Sequence, residues 1–443
     1  MIAGREDLAG KVYWSAAARR PLPSVPVFAG EAACEVAIVG GGFTGLSAAH
    51  HLAEAGVDCL LLEAGEIGHG ASGRTAGMAG TRYKKGWAAL AEHYGTAEVR
   101  RLHALLEEGY ETLESLLVRY DARDALDRRG QYIPAHCQEA LDALAADAAW
   151  FSKEVGEHPV EILDREATKR ETGADGYVGA WFDPRGGALQ PVEVLRALWR
   201  GLARRGLGLY AGSPVTAIAE EDDGVTLTTP RGRVRAKRLL LATNAYIPPG
   251  LVRPDLSRHL VPVASSILVT APLSRNLAGS ILPNGGVASD TMRLLHAFRR
   301  LPDDRVLFSG RADITGRRSD QADSYRDLER AMVEVFPQLE GTPVDFRWAG
   351  FVGVSRDGFP HLGRLGRRVV YAMGYSGRGV VLSHLLGRHA ARMLCGEEPA
   401  LGPMGGAGLT RWPFHRARVP FMQMTAWLYQ YQDRRDLARI RQH

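Results

Sequence analysis

The sequence predicts an α/β protein: a Rossmann-type dinucleotide-binding domain joined to a second, α+β domain built on an antiparallel sheet. Three observations predict it. An apolar strand, Cys34–Val39, runs directly into Gly40-Gly41-Gly42-Phe43-Thr44-Gly45 and then into a small-residue helix, Leu46–Glu54. A second strand–glycine turn–apolar helix pattern stands near the other end, at Val369–Leu394. Stretches of another character lie between them. These are helical over 99–117, where Val99, Leu102, Leu106, Leu113 and Leu117 recur at helical spacing, and strand-like over 259–270, 293–298 and 305–311.

Each element has a local reason. Gly40 permits the tight turn after the first strand. Gly42 lets backbone approach a pyrophosphate, and Gly45 lets helix and strand pack closely. The helix N-terminus then offers free N–H groups and a positive dipole end to phosphate. A second strand, Val57–Leu62, ends in Glu63, about 20 residues after the loop, where a carboxylate accepts hydrogen bonds from ribose hydroxyls. It also repels a 2′-phosphate, which disfavours NADP. The competing reading, a glycine turn in an ordinary α/β unit, explains the loop but not Glu63. Glu63-Ala64 leads into a glycine-dense loop with one arginine, Gly68-His69-Gly70-Ala71-Ser72-Gly73-Arg74-Thr75-Ala76-Gly77-Met78. Further on, Pro191 opens an amphipathic helix over 191–203. Strands follow at Gly208–Tyr210, at Val225–Thr229 with Val234 as a hairpin or meander, and at 238–242.

Composition narrows the class. The chain has 443 residues, 45% hydrophobic and 24% charged, which excludes wholesale disorder. Lys and Arg number 55 against 50 Asp and Glu, a formal +5 too small for a dedicated nucleic-acid binder. The 51 glycines exceed the usual ~7% and call for tight turns and close backbone approaches. Cys34, Cys59, Cys137 and Cys395 form no C-x-x-C pair, so reduced thiols in a cytoplasmic protein are expected. Met1–Gly10 lacks the apolar core of a secretory signal, and no stretch approaches ~18 apolar residues. No metal motif is written: His50 and His51 are adjacent, and His384 and His389 are i, i+5. No catalytic triad is evident either.

Together, G-x-G-x-x-G and E-A-x-x-x-G-x-G-A-S-G-R resemble the FAD-dependent oxidoreductases of the D-amino-acid-oxidase (DAO) type. The sequence is most similar to the γ-glutamylputrescine oxidase branch, related to sarcosine and glycine oxidases. The likeness covers nearly the whole chain, from the aromatic arm Val12-Tyr13-Trp14 onward. It implies a glutathione-reductase-like FAD domain assembled from 34–85, 185–249 and 350–400, and a substrate domain from 86–184 and 250–349. Residues 1–33 form an arm and 401–443 a tail with an amphipathic helix, expected to dock on the body, with a membrane surface or partner as the alternative. By the resemblance, FAD is held by Gly40, Gly42, Phe43, Thr44, Gly45, Glu63 and Ala64, and by the loop Gly70–Met78. The backbone of Val215 meets the adenine. Ala242, Thr243 and Asn244, in an A-T-N-A-Y string, deliver a strand end to the dinucleotide. Gly374-Tyr375-Ser376-Gly377-Arg378-Gly379-Val380 bring a helix N-terminus to the flavin. Thr75 and Ala76 stand where Asn and Gly are usual, and Arg378 where most relatives carry His; Arg378 either contacts flavin or substrate, or turns to solvent.

The resemblance also implies the chemistry: oxidation of a C–N bond in an amine or amino acid by hydride transfer, imine hydrolysis, and reoxidation by O2 with peroxide release. A dehydrogenase using a quinone or carrier and a catalytically silent flavin subunit are the alternatives. Candidate substrate contacts are Trp348, His296, Arg311, Tyr246 and Arg82, with core packing the alternative for Trp348 and a salt bridge for Arg311. Relatives that bind FAD covalently use a cysteine where this chain has Gly350, or a histidine where it has Arg74, so non-covalent FAD is expected. A lysine that sarcosine oxidases place over the flavin is replaced near Phe308 and Ser309.

Overall fold

The computed structural model describes residues 12–156, 160–405 and 408–440, so the Met1–Gly10 stretch and the first residues of the expected arm lie outside the described residues. Two sheets carry the fold. In the first, five parallel strands lie in the spatial order Gly208–Tyr210, Cys59–Leu62, Gly30–Val39, Gly232–Leu241 and Val369–Met373. His361–Leu365 adds an antiparallel edge, and Ala217–Glu220 with Val225–Thr229 forms a meander on the early half of Gly232–Leu241. The central strand is fully buried over Val36–Ile38, as expected of a strand covered on both faces.

The helices Phe43–Glu54 and Gly379–Leu394 start at the same edge of this sheet and pack together. Small residues let them touch: Ser47 Oγ donates to the His384 carbonyl at 2.8 Å, and a Cβ on Gly387 would stand 2.6 Å from that of Ser47. Both helices therefore aim their N-termini at one place, beyond the C-terminal ends of the parallel strands, where open α/β sheets bind ligands.

The second sheet has eight strands, in the order Val344–Val354, Val261–Thr270, Val306–Gly310, Ala297–Arg300, Val287–Ser289, Gln131–Ala135, Gly179–Asp183 and Glu161–Asp164. Neighbours are antiparallel except at Val287–Ser289 with Gln131–Ala135, the parallel joint where the two sequence segments meet. Three expectations are corrected. The proposed boundary at 349/350 cuts one continuous strand, Val344–Val354, which pairs with Val261–Thr270 along its length. The strand expected over 293–298 begins only at Ala297, because the Asp290 carboxylate accepts the N–H groups of Met292 and His296 and folds that segment into a turn. The first helix begins at Phe43, inside the glycine motif, and not at Leu46.

The terminal helix, Arg418–Ile440, docks on the body through its later half. Arg293 donates to Asp433 at 2.7 Å and to Asp436 at 2.8 Å. Phe421, Met424, Trp427 and Tyr431 on this helix remain exposed. Among the described residues, no helix is long and apolar enough to cross a membrane.

Candidate flavin and substrate site

The glycine motif adopts the geometry its spacing implies. Gly40 has φ +110°, and a Cβ there would lie 2.7 Å from the Ala242 carbonyl oxygen; a Cβ on Gly45 would collide with the Gly40 carbonyl. Gly42 brings no side-chain cap of its own, so beyond Phe43 the first-turn N–H groups are left for a ligand. A Cβ on Gly42 would fill the space 2.8 Å from Ser72 Oγ, between the glycine loop and the loop at 70–78. Phe43 N donates to that hydroxyl at 3.1 Å. Glu63 accepts from Gly41 N at 2.7 Å and Gly65 N at 2.9 Å, which fixes the carboxylate at the end of its strand. Ser213 N donates to the Glu63 carbonyl at 2.8 Å and brings the loop bearing Val215 beside it. Gly41, a variable position of the motif, has no room for a side chain: Trp199 and Glu63 crowd it. The cradle and uncapped helix end fit the pyrophosphate, and Glu63 the ribose, of a dinucleotide.

The loop 70–78 is held from behind by three buried donors. The Trp348 indole donates to the Arg74 carbonyl at 3.0 Å, the Trp14 indole to Thr75 at 2.7 Å, and Arg299 to Gly77 at 2.9 Å. A trans peptide points its N–H opposite to its carbonyl, so the amides of Thr75 and Ala76 face away from this cluster, toward the open side of the loop. Thus the variable side chains at 75 and 76 change the loop's surface while its backbone stays fixed. Arg74 pins the loop to the Val344–Val354 strand, donating to the Ala349 carbonyl at 3.1 Å and to the His69 carbonyl at 2.8 Å. Trp14 lies in a cluster with Trp348 and Val192, which gives the aromatic arm a role: it clamps this loop.

The other cofactor segments converge from the sheet edge. Asn244 (φ +45°) accepts from Gly374 N at 2.9 Å, joining the A-T-N-A-Y string to the C-terminal glycine turn. Thr243 Oγ1 is buried and has no protein partner among the described residues, an orphan that a bound ligand can satisfy. Tyr375 OH and Thr44 Oγ1 lie 2.7 Å apart, tying the two helix N-termini together; burial raises the Tyr375 hydroxyl above its usual range. Ser376 (φ +50°) is fixed by Ser355 Oγ at 3.0 Å. Arg378 caps the Gly379–Leu394 helix only by position, so that end too is open.

The five substrate candidates part company. Trp348 is 2% exposed and packs edge-on against Trp14; the expectation that it walls the substrate is corrected, since its indole is committed to the loop carbonyl. Arg82 is 9% exposed, ion-paired with Asp147 and 5.0 Å above the Trp181 ring. Its carboxylate-binding assignment is likewise corrected: its charge is already answered. His296 is tethered, Nδ1 lying 3.3 Å from Asp290 Oδ2. Burial alone would lower its pKa, but the adjacent Asp290 carboxylate outweighs burial and raises it. Tyr246 is half-buried, accepts from Phe351 N at 3.1 Å and has its ring between His69 and Phe351, on the open side of the loop. Arg311 follows the Val306–Gly310 strand and has no acceptor among the described residues, against the salt-bridge alternative; burial alone lowers it to about 10. His296 adjoins it, the His296 ring lying 3.1 Å from where a Gly310 Cβ would be.

Just past the loop, Arg82, Lys84 and Lys85 form a basic run between Gly80 and Gly86, in which Arg82 is buried and ion-paired with Asp147 while Lys84 and Lys85 are exposed. Phe308 and Ser309 are buried in the second sheet, so neither offers a charged group.

His136, Asp433 and Asp436 do converge, but Arg293 already places its guanidinium between the two carboxylates, so the triplet is an ion-pair cluster. All four cysteines are free. Cys34 lies midway along its strand and Cys59 at the end of its strand away from the site, and Cys395 follows the last turn of a 16-residue helix, roughly 24 Å from its N-terminus.

The comparisons with known proteins agree with this geometry. Residues 35–393 match the DAO family model, described as FAD dependent oxidoreductase. The chain is 35% identical over 404 residues to γ-glutamylputrescine oxidoreductase of Escherichia coli K12, covering 90% of this chain and 93% of that protein. Its fold is similar to glycine oxidase from Geobacillus kaustophilus (TM-score 0.68, 23% identity, 86% and 100% of the two chains). It is also similar to L-proline dehydrogenase from P. horikoshii (TM-score 0.68, 18% identity, 84% and 96%). With its glycine cradle, pinned loop and paired helix N-termini, the chain belongs to the DAO family of FAD-dependent oxidoreductases.

Proposed function

We propose that this protein oxidises the C–N bond of an amine or amino acid that carries a carboxylate, with Arg311 anchoring that carboxylate and O2 as the electron acceptor. The observation that carries the reading is Arg311 itself: a half-buried guanidinium with no acceptor among the described residues, at the end of a strand of the second sheet, its charge disfavoured by burial. A partly desolvated cation without a protein counter-charge suits an anionic ligand.

FAD, when bound, supplies the hydride acceptor and returns the electrons to O2 as H2O2. The residues of this chain do the rest. Arg311 holds the substrate's carboxylate, so the C–H beside nitrogen is presented in one orientation. Tyr246 and His296 line the approach, with His296 fixed by Asp290. In balance, the C–N bond loses two hydrogens to O2, and water then splits the imine into a carbonyl compound and an amine or ammonia.

The test is turnover and peroxide release with γ-glutamyl amines, N-methyl amino acids and D-amino acids, each beside its decarboxylated counterpart. Arg311→Met should raise KM for the carboxylated member of each active pair far more than for its counterpart, and Arg311→Lys should recover part of the loss. Flavin reduction without peroxide would place the protein among carrier-linked dehydrogenases. Equal turnover of both members would remove Arg311 from the site.

A further inference from the structure

The tail at 401–443 contains seven arginines, two aspartates, and no lysine or glutamate. Basic and acidic residues balance over the rest of the chain, so the tail carries the whole formal +5. Both aspartates turn inward: Asp433 and Asp436 accept from Arg293 at 2.7 and 2.8 Å. Arg411, Arg416, Arg434 and Arg435 are exposed. Among the described residues, the charge that the tail shows to solvent is therefore basic.

The tail is fastened to the body at both ends. At its head the Trp412 indole donates to the Val354 carbonyl at 3.3 Å, and His415 Nε2 lies 2.9 Å from the Leu260 carbonyl oxygen. Toward its other end Asp433 is buried. Between these anchors the Arg418–Ile440 helix exposes Phe421, Met424, Trp427, Leu428 and Tyr431, with Trp427 67% exposed. At about 100° per residue, these five form a stripe about 120° wide, centred opposite Asp433. Trp427 and Tyr431 stack, their ring centroids 6.3 Å apart. Phe414, just before the helix, is 88% exposed. A helix packed on a globular body turns its apolar stripe to the core. This one turns it outward, with Arg411 and Arg416 toward one end and Arg434 and Arg435 toward the other.

Charge decides what covers the stripe. A second copy of the chain would bring the same arginines at both ends. Parallel and antiparallel pairing would each set arginine beside arginine, with no exposed acid of the tail to answer it. An anionic surface answers all of them at once. Tryptophan, tyrosine and arginine also suit the boundary between water and hydrocarbon. We propose that the tail is a membrane-surface contact: the Arg418–Ile440 helix lies flat on an anionic phospholipid bilayer, its aromatic stripe in the headgroup layer and its flanking arginines on lipid phosphates.

The experiment is co-sedimentation of the full-length holoenzyme with vesicles of phosphatidylcholine alone or mixed equally with phosphatidylglycerol. The mixed vesicles should bind at least about tenfold more tightly, and raising salt should weaken that binding. The triple variant Arg411→Gln, Arg416→Gln, Arg434→Gln should lose about a hundredfold, at roughly fivefold for each arginine. Phe421→Ser with Trp427→Ser should also release the protein. Both variants should keep the flavin spectrum, which shows that they are folded. Brominated phosphatidylglycerol should quench tryptophan emission, and Trp427→Phe should remove most of that quenching. Equal binding to both kinds of vesicle, or binding that survives both variants, overturns the proposal. So does a protein that ignores vesicles. If that protein sediments as a dimer and Trp427→Ser makes it a monomer, the stripe belongs to a second copy; if it sediments as a monomer, the stripe belongs to an acidic protein partner.

Discussion

Arg82→Met separates a structural arginine from a substrate-binding one. Arg82 and Asp147 are both buried, and the carboxylate also accepts Ala88 N at 2.8 Å. Removing one partner of a buried pair costs about 3–5 kcal/mol, because the other charge is left unanswered. The Ala88 amide keeps part of the carboxylate satisfied, and the buried Arg82 Nε, unpartnered in the wild type, is removed; both favour the lower end. Loss of the contact with Trp181 adds about 1 kcal/mol. The sum is about 4 kcal/mol, or a midpoint lowered by roughly 4 °C if the chain unfolds as one unit. Differential scanning calorimetry at fixed FAD concentration measures it. The double variant Arg82→Met with Asp147→Leu should recover most of the loss, since it removes the orphaned charge as well. KM for a carboxylated amine should stay within about twofold of wild type in the double variant. A stable Arg82→Met enzyme with a strongly raised KM would refute the reasoning and return Arg82 to the substrate.

Three other perturbations bear on the cofactor site and the fold. Trp348→Phe leaves the Arg74 carbonyl without its indole donor, a loss of about 1–3 kcal/mol. FAD should therefore dissociate more readily in equilibrium dialysis while the KM of the reconstituted enzyme changes little. His384 is fully buried, its Nδ1 donating to the Val380 carbonyl, and burial lowers it from its usual 6.5 to about 4. The unfolded chain therefore binds the extra proton first, and stability falls as pH drops from 6.5 toward 4, by about 3 kcal/mol in all; His384→Leu should flatten that part of a stability–pH curve. Arg293→Ala strands the buried Asp433 carboxylate, so the Arg418–Ile440 helix should become the first site of limited proteolysis.

The cofactor half of the site was legible in the sequence because its constraints are local. Gly40 needs a positive φ and Gly45 has no room for a Cβ, and both demands are written in residue type and spacing. The strand and helix around them follow from one run of apolar and small residues. The second sheet was legible as strands but not in its order, because the pairing of Val287–Ser289 with Gln131–Ala135 joins segments more than a hundred residues apart. Trp348 and Arg82 misled for a related reason. A buried indole and a substrate-facing one have the same sequence signature, and only the partners, Arg74 for Trp348 and Asp147 for Arg82, tell them apart.

The central claim is that this flavoprotein takes electrons from an amine whose carboxylate Arg311 holds. Anaerobic mixing of the purified yellow holoenzyme with matched amines, followed by visible absorbance, tests it most directly. The account predicts that a carboxylated amine bleaches the flavin, that its decarboxylated counterpart does so far more slowly, and that Arg311→Met abolishes the difference. A flavin that no amine bleaches, or one bleached equally well by both members of every pair, would contradict it.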